Sequence, residues 1–181
     1  MSIFFTSDTH YGHTNIIKYS DRPFSNADEM NEALIKAWND VVKPSDEVFH
    51  LGDVAFMPFG KCNRVLNRLN GDIHLILGNH DTMLVQNAPT LLEQGKVRSI
   101  QNYRELRVDK ELIVLFHYGQ RAWNGSYRGS IHLYGHSHGT LPPFGKSVDV
   151  GVDCKEITPE YRPVSLEEVF TYMKDRPSEK T

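Results

Sequence analysis

The residues best suited to chemistry are histidines and carboxylates that follow short apolar segments. The chain of 181 residues holds nine histidines but only two cysteines. Asp8 and His10 follow the apolar run 3–6, and Asp53 follows the run 47–51. The remaining residues of this kind are Asn79, His80, Asp81, His117, His136 and His138. Imidazole and carboxylate ligands suit Zn, Mn, Fe or Ni, whereas two cysteines are too few for a thiolate site or a disulfide framework. The pattern therefore predicts a metal centre.

Two of these segments carry pairs of candidate ligands separated by one residue. Asp8 and His10 form the first pair, and His136 and His138 form the second. An extended backbone points side chains i and i+2 to the same side, so we expect strand alternation to bring each pair together. Glycines precede three of the candidate ligands and permit tight turns there. They are Gly52, Gly78 and Gly135.

Seven of these side chains are enough to hold two divalent ions. The candidate ligands are Asp8, His10, Asp53, Asn79, His117, His136 and His138. If one carboxylate bridges the ions, each ion receives about four protein contacts and keeps positions open for water and substrate. Two ions about 3.5–4 Å apart can bind a phosphate, activate a bridging water to hydroxide and stabilise the leaving oxygen. The composition of the set therefore points to phosphoryl chemistry.

The elements that position these residues follow from the hydrophobic periodicity. The order strand, helix, strand, helix, strand in the first half predicts α/β layers, and the later run of strands predicts a second sheet. Predicted strands cover residues 3–6, 47–51, 73–77, 97–100, 103–108, 112–116, 130–134 and 147–152. Predicted helices cover residues 28–42, 62–69 and 88–94, and a last helix opens at Ser165 with Glu168 completing a capping box. We expect a sandwich of two mixed sheets flanked by helices, with the ligands at the carboxyl ends of strands.

Composition and length exclude several classes of protein. Twenty basic and 23 acidic residues give a formal net charge of −3, which argues against bulk duplex nucleic-acid binding through positive charge. No apolar run approaches the roughly 18 residues of a membrane span, and no secretory signal is visible. We expect a cytoplasmic protein, in the host cytoplasm if a phage encodes it. One domain over residues 1–175 with a polar tail at 176–181 is expected, while the oligomeric state stays open.

In order along the chain, five short motifs resemble the signature of the calcineurin-like metallophosphoesterases. They are Asp8-x-His10, Gly52-Asp53, Gly78-Asn79-His80-Asp81, His117 and Gly135-His136-x-His138. The neighbouring residues 9–13 and 21–24 are similar to a small single-domain subgroup found in bacteria and phages. One departure is that His117 follows Phe116, where the family often has glycine. The resemblance implies a four-layer αββα sandwich and a hydrolase of phosphoesters.

The resemblance also implies a role for each motif residue. The first metal would be held by Asp8, His10, Asp53 and His138. The second metal would be held by Asn79, His117, His136 and the same Asp53, which bridges the ions. His80 would contact the phosphate and protonate the leaving group, with Asp81 orienting it. The attacking group would be a metal-bridging hydroxide, and the cofactors two divalent transition-metal ions, manganese before iron, nickel or zinc.

Substrate contacts are expected from residues close to the motifs. The candidates are His13, Arg22, Arg121, Trp123 and Arg128. Guanidinium groups suit phosphate oxygens, and an indole ring can stack on a base. Three other histidines lie within apolar strands and are expected to be structural: His50, His74 and His132.

In a chain of 181 residues we expect no large cap over the site, and therefore an open site that binds a small phosphoester or nucleotide. An open site favours a phosphodiester, such as a cyclic nucleotide, a dinucleotide or a nucleic-acid end. One alternative is a phosphomonoesterase that acts on a small phosphorylated substrate. The other is a non-catalytic binding scaffold on the same fold. The known scaffold of this kind lacks the active-site histidine, which this chain retains as His80.

Overall fold

The computed structural model describes residues 1–142 and 144–178. Residues 179–181 of the expected polar tail lie outside the described residues. The strands are β1 (Ile3–Thr6), β2 (Glu47–His50), β3 (Asp72–Ile76), β4 (Val97–Gln101), β5 (Tyr103–Val108), β6 (Glu111–Phe116), β7 (Ile131–Tyr134), β8 (Ser147–Asp149) and β9 (Val164–Ser165). The α-helices are α1 (Ile16–Tyr19), α2 (Ala27–Val41), α3 (Phe59–Leu66), α4 (Thr82–Gln86), α5 (Ala88–Glu93) and α6 (Leu166–Met173).

The first sheet has five strands in the order β4-β3-β2-β1-β9. Strands β1 to β4 pair in parallel, and β9 pairs antiparallel with β1. Parallel strands joined by crossover helices are buried on both faces, which explains why three of the four residues in each of β1 and β2 are buried. Their carboxyl ends meet at one edge of the sheet, where Asp8, Asp53 and Asn79 follow β1, β2 and β3.

The second sheet has four strands in the order β5-β6-β7-β8. The hairpin β5-β6 turns at Asp109 and Lys110, as predicted, while β6, β7 and β8 run parallel. His117 therefore follows β6 at the same end at which His136 and His138 follow β7. A continuous apolar cluster fills the space between the sheets, and its members include Phe5, Phe49, Ile76, Ile113, Leu115, Leu133 and Val148. The two mixed sheets and flanking helices confirm the predicted fold class.

Helices α2 and α3 cover the outer face of the first sheet. Met30, Leu34 and Trp38 are buried along one face of α2, as their spacing predicts, and pack in a cluster with Val48 and Ile73. The predicted N-terminal boundary of α2 is close to the observed one, because the Asn26 side chain accepts a hydrogen bond from the Glu29 backbone N–H.

Helix α6 begins with the predicted capping box. The Ser165 side chain accepts from the Glu168 backbone N–H, and the Glu168 carboxylate accepts from the Ser165 backbone N–H. Val169 and Met173 of this helix pack into the cluster between the sheets. On the outer face of the second sheet, Val114 and His132 are buried, and the Trp123 ring from the β6–β7 connection packs against His132.

Three short elements were missed by the sequence prediction: α1, α4 and β9. None is longer than five residues, so none completes the periodic pattern on which such predictions rest. Among the described residues, no helix is both long enough and apolar enough to cross a membrane.

Candidate dinuclear metal centre

Six of the seven predicted ligands lie in two compact groups where the carboxyl ends of the strands meet. The first group consists of Asp8, His10 and His138, and the second consists of Asp53, His117 and His136. Within each group the candidate ligand atoms all lie within 4.8 Å of one another. The seventh predicted ligand, Asn79, adjoins the second group, because its Oδ1 lies 3.2 Å from His117 Nε2.

Asp53 stands between the two groups. Its Oδ2 atom lies 3.7 Å from His10 Nε2 and 3.6 Å from His117 Nε2. Two ligand atoms that each lie about 2.1 Å from one ion are separated by roughly 3–4 Å. The same carboxylate oxygen thus lies close enough to one histidine of each group to share an ion with each of them, as a bridging residue requires.

The first group contains buried polar atoms that make no hydrogen bond within the described part of the chain. These atoms are Asp8 Oδ1 and both ring nitrogens of His10. Burial lowers the pKa of His10 to about 2, so its imidazole is neutral. Burial and the neighbouring Asp149 carboxyl raise the pKa of Asp8 well above its ordinary value. A neutral imidazole and a buried carboxyl oxygen that receives no hydrogen bond are the ligand atoms that a divalent cation satisfies, so the residues fit metal ions.

The backbone at these positions is left-handed rather than extended. The φ angles are 56° at Asp8, 50° at His10, 66° at His136 and 48° at His138. Asp53 also has a positive φ of 56°. The expectation that strand alternation brings each pair together was therefore wrong. The pairs converge through tight left-handed turns, whose cost of order 1–3 kcal/mol per residue persists only where the surrounding structure enforces it.

The glycines are needed more for the close approach of neighbouring loops than for tight turns. Gly52 has a φ of +98° and needs its conformational freedom. Gly78 and Gly135 do not have positive φ, but a Cβ on Gly78 would collide with Asp53, and one on Gly135 with Ser7 and Asp8. A Cβ on Gly52 would likewise collide with Gly78 and His117, so all three glycines allow neighbouring ligand loops to touch.

A carboxylate that the sequence analysis missed, Asp153, orients His138. Because a carboxylate only accepts, His138 Nδ1–H donates to Asp153 Oδ2 at 2.7 Å, which leaves Nε2 for a metal. Burial acts to raise the pKa of Asp153, but hydrogen bonds from His138 and Arg22 hold it below its ordinary value. Asp153 lies in a polar loop outside any motif, so its spacing gave no signal.

The prediction that Arg22 binds phosphate was wrong. Its side chain is fully buried and donates from Nε and Nη2 to the two Asp153 oxygens, each at 2.8 Å. It also donates to the backbone carbonyls of Asp8 and Thr9 at 2.6 and 2.9 Å. With its donors engaged, Arg22 holds the loop of the first group and balances its negative charge.

Asp81 positions the second group rather than His80, which corrects the predicted role. Its carboxylate accepts backbone N–H bonds from Asp53, Val54 and Gly78 at 2.8–3.0 Å. It therefore ties the β2 loop to the β3 loop. His80 is exposed, its backbone N–H donates to Asp53 Oδ1 at 2.9 Å, and its ring centroid lies 5.7 Å from that of His10.

Three further hydrogen bonds fix the remaining ligands and their loop. His117 Nδ1–H donates to the Leu51 carbonyl at 2.6 Å, which turns Nε2 toward Asp53. Asp149, which sequence reasoning did not single out, accepts from Ser137 Oγ at 2.6 Å and from the Gly139 N–H at 2.9 Å. It thereby shapes the loop that carries His136 and His138. A lone carboxylate in the apolar run 147–152 was the available signal.

The predicted substrate contacts divide between residues near the site and residues elsewhere. His13 is near it, with its ring centroid 5.5 Å from that of His10. Arg121 is exposed on the segment that follows His117 and stacks over Phe144 at 4.1 Å. The predictions for the other two were wrong. Trp123 is 8% exposed and donates to the Ser130 carbonyl. Arg128 lies beside Arg107 and Lys110 at the start of β6, at the opposite end of that strand from His117.

The three histidines expected to be structural are buried and hydrogen-bonded. His50 Nε2 lies 2.9 Å from Thr9 Oγ1, and His74 Nδ1 lies 2.8 Å from Ser99 Oγ. His132 accepts from the Gln120 backbone N–H at 3.1 Å. None of them joins a ligand group.

Comparison with solved structures supports the fold. A protein of unknown function from Aquifex aeolicus (AQ665) superposes with a TM-score of 0.70 at 23% identity, covering 94% of this chain and 98% of that chain. A structure described as a novel archaeal phosphodiesterase gives a TM-score of 0.52 at 18% identity, covering 87% and 88% of the two chains. At these identities the likeness establishes a shared fold.

Sequence comparison also tests family membership. An uncharacterized protein of Methanocaldococcus jannaschii (MJ1445) is 34% identical over 174 residues, covering 91% of this chain and 87% of that protein. The family model of the calcineurin-like phosphoesterase superfamily domain matches residues 1–143. That stretch contains all five motifs and both ligand groups. The chain therefore belongs to the calcineurin-like phosphoesterase superfamily.

Proposed function

We propose that the protein is a phosphodiesterase that depends on two divalent transition-metal ions. The observation that carries this proposal is the Asp53 oxygen within 3.7 Å of a histidine of each ligand group. Bound ions supply Lewis-acid stabilisation of the phosphate and lower the pKa of bound water. The first ion would be held by Asp8, His10, Asp53 and His138. The second would be held by Asp53, Asn79, His117 and His136.

The chain's own residues hold and orient the reacting groups. His117 and His138 keep their ligand nitrogens in place through hydrogen bonds to Leu51 and Asp153. His80 presents an exposed imidazole beside His10, while the hydrogen bond from its backbone N–H to Asp53 fixes where its side chain begins. This arrangement supports the proposal that His80 gives a proton to the departing alkoxide. General acid catalysis of this kind contributes roughly 10²–10⁴ in rate.

The exposure of the site favours a diester over a monoester. His136, His80 and Asn79 are exposed, and within residues 1–142 and 144–178 no separate cap element covers them. A phosphodiester needs room for two ester substituents, whereas a monoester needs room for one. Localisation to the cytoplasm and a preference for manganese remain part of the proposal.

The test is a screen of the metal-reconstituted protein on p-nitrophenyl phosphate and bis(p-nitrophenyl) phosphate with Mn, Fe, Ni and Zn. We expect the diester to be turned over at least tenfold faster with Mn. For a dinucleotide, whose alkoxide leaving group needs a proton, His80→Ala should lower kcat by about 10²–10⁴ while elemental analysis finds the same two metals. A faster monoester reaction would contradict the diester assignment. Full metal content without any turnover would point to a binding scaffold.

A further inference from the structure

An exposed aromatic ring stands next to the ligand groups. Phe56 is 54% exposed, and its ring centroid lies 5.7 Å from that of His80 and 4.6 Å from that of His13. The His13 ring stacks on one face of Phe56 at an interplanar angle of 25°. The part of the phenyl ring that stays exposed, beside the residue that would protonate the leaving group, offers a stacking surface for a nucleobase. Such stacking is worth roughly 1–3 kcal/mol for each base.

The backbone that carries this ring is held by the core. The Phe56 backbone N–H donates to the Tyr11 carbonyl at 2.8 Å, and Tyr11 forms a β-bridge with Ala55. The Tyr11 side chain is fully buried. Because the segment is held on the same turn that carries His10, a ligand stacked on Phe56 needs little reordering of the protein, and pre-organisation of this kind favours binding.

A cavity of about 350 Å³ opens beyond Phe56, toward α3. Its wall includes Asn31, Phe56, Met57, Lys61 and Arg64. This volume is within the range of pockets that hold small ligands. The cavity and the candidate active site therefore share the Phe56 ring as a boundary.

Positive charge gathers in this cavity although the whole chain carries −3. Lys61, Arg64 and Arg68 follow one another at helical spacing and all line it. Arg68 is engaged by Glu32 at 2.6 Å, but within the described residues Lys61 and Arg64 form no ion pair. Of the lining residues, Asp28 alone is a carboxylate. Ammonium and guanidinium groups without partners attract a phosphate.

A second cavity, next to the segment that follows His117, is more apolar. It has a volume of about 380 Å³ and is lined by Leu141, Pro142 and Phe144, with Arg121 stacked on the Phe144 ring. Leu141 is 47% exposed. The apolar cavity offers no matching pair of unengaged cations, so the charge distribution favours extension of an anionic substrate toward α3.

We propose that the Phe56–α3 cavity binds the neighbouring nucleotide of a short single-stranded nucleotide chain whose scissile phosphodiester lies at the two ligand groups. The base stacks on Phe56, and the next phosphate along the chain contacts Lys61 and Arg64. This inference rests on the proposed phosphodiesterase function and names its substrate class. Hydrolysis breaks one P–O bond, water supplies the new oxygen on phosphorus, and the leaving alkoxide takes a proton.

The test compares two thymidine dinucleotides that share the scissile diester and differ by one terminal phosphate. Each is assayed with the Mn-loaded protein, with products separated by chromatography. The wild type should cleave the internal diester and prefer the phosphorylated dinucleotide by about tenfold in kcat/KM, mainly through KM, as expected for a charged hydrogen bond. Lys61→Ala with Arg64→Ala should reduce this preference to less than about twofold.

A matched variant controls for the loss of two positive charges. Arg107→Ala with Lys110→Ala removes the same charge at the far end of β6 and should leave the preference for the phosphorylated dinucleotide intact. Phe56→Ala should weaken cleavage of both dinucleotides about tenfold, and Phe56→Trp should restore it, because stacking needs only an aromatic face.

Binding of both dinucleotides is also measured by calorimetry, so that the cavity is tested separately from the reaction. An equal kcat/KM for the two dinucleotides, or an undiminished preference in the double variant, would overturn the proposed cavity. Release of the terminal phosphate instead of internal cleavage would overturn it as well. If neither dinucleotide nor bis(p-nitrophenyl) phosphate is hydrolysed, the phosphodiesterase proposal fails. Tighter binding of the phosphorylated dinucleotide that depends on Lys61 and Arg64 would then still support the cavity.

Discussion

The two ligand groups are built from similar residues but are held by different means. In the first group, a buried ion pair fixes the geometry: Arg22 donates to Asp153, and Asp153 accepts from His138. In the second group, hydrogen bonds to backbone atoms fix the geometry. His117 donates to the Leu51 carbonyl, and Asp81 accepts N–H bonds from the loops that carry Asp53 and Asn79.

This difference separates two ways of stabilising a site. A charge network concentrates its effect in one or two side chains, and removing either leaves a buried charge without compensation. Backbone hydrogen bonds spread the effect over several smaller contributions, each worth roughly 1 kcal/mol. We therefore expect a steep loss of stability and metal affinity when one side chain of the first group's ion pair is replaced. Loss of a contact in the second group should reduce both only modestly. Three variants test that contrast, and a fourth, remote from both groups, sets a baseline.

The largest effect is expected at the residue that the groups share. Asp53→Ala removes the carboxylate between them and should abolish binding of both ions, with a loss of activity of at least about 10³-fold. Elemental analysis after metal reconstitution measures the stoichiometry. Asp40→Ala, an exposed carboxylate on α2, is the matched control and should retain two ions. Two ions bound to Asp53→Ala would contradict the bridging position.

Asp153→Asn should break the first group alone. Arg22 is then left buried without a carboxylate, so the free energy of unfolding should fall by roughly 3–5 kcal/mol. Metal affinity at the first group should fall by about 10–100-fold, because His138 loses its orienting partner. Urea unfolding and metal titration measure the two effects. Combining Asp153→Asn with Arg22→Met should recover part of the stability. An equal loss of affinity at both groups would show that they are not held separately.

Asp81→Asn should weaken the second group gradually. Asparagine keeps the shape but only one acceptor oxygen for the three backbone N–H donors, which should cost roughly 1–3 kcal/mol of stability. The affinity for the second ion should fall while the first is retained. If Asp81 instead oriented His80, kcat and its pH profile would change with both ions fully bound. Metal titration and a pH–rate profile distinguish these outcomes.

The smallest effect is expected at Glu168, which is remote from both groups and sets a baseline. Hydrogen bonds from Arg162 and Ser165 lower the pKa of Glu168 to about 2. A carboxylate with a lowered folded pKa adds stability above its unfolded pKa, and this stability is lost as pH falls through the folded value. Glu168→Gln should cost about 1 kcal/mol at pH 7 in urea unfolding. That difference should shrink as pH falls from about 4.5 toward 2.

Glu167→Gln is the matched control for that change, since Glu167 is the exposed neighbour in the same turn of α6. It should shift stability by less than about 0.5 kcal/mol at any pH. A pH-independent cost at Glu168 would show that its charge contributes nothing to the cap.

The sequence predicted eight of the nine strands of the described residues, the long helix α2 and the convergence of the seven candidate ligands, because each left a periodic or ordered pattern. It failed where the signal was absent or ambiguous. Arg22 was expected to meet substrate, yet arginine suits phosphate and carboxylate equally, and only the fold shows that Asp153 is its partner. Asp81 adjoins His80 in sequence but turns toward backbone donors. Spacing alone could not reveal the left-handed backbone at Asp8 and His10, since an i, i+2 pair fits both conformations.

The left-handed backbone at these positions restricts which amino-acid types can occupy them, whether or not an ion is bound. Among residues other than glycine, Asn, Asp and His enter this region of φ several-fold more readily than the rest. The turns at Asp8, His10, Asp53, His136 and His138 therefore accept a set of residues that overlaps the set able to bind metals. In a lineage released from metal binding, glycine or asparagine is the expected replacement there, and alanine or valine is disfavoured. The residues that replace the ligands would thus record whether selection still acts on the ions or only on the shape of the chain.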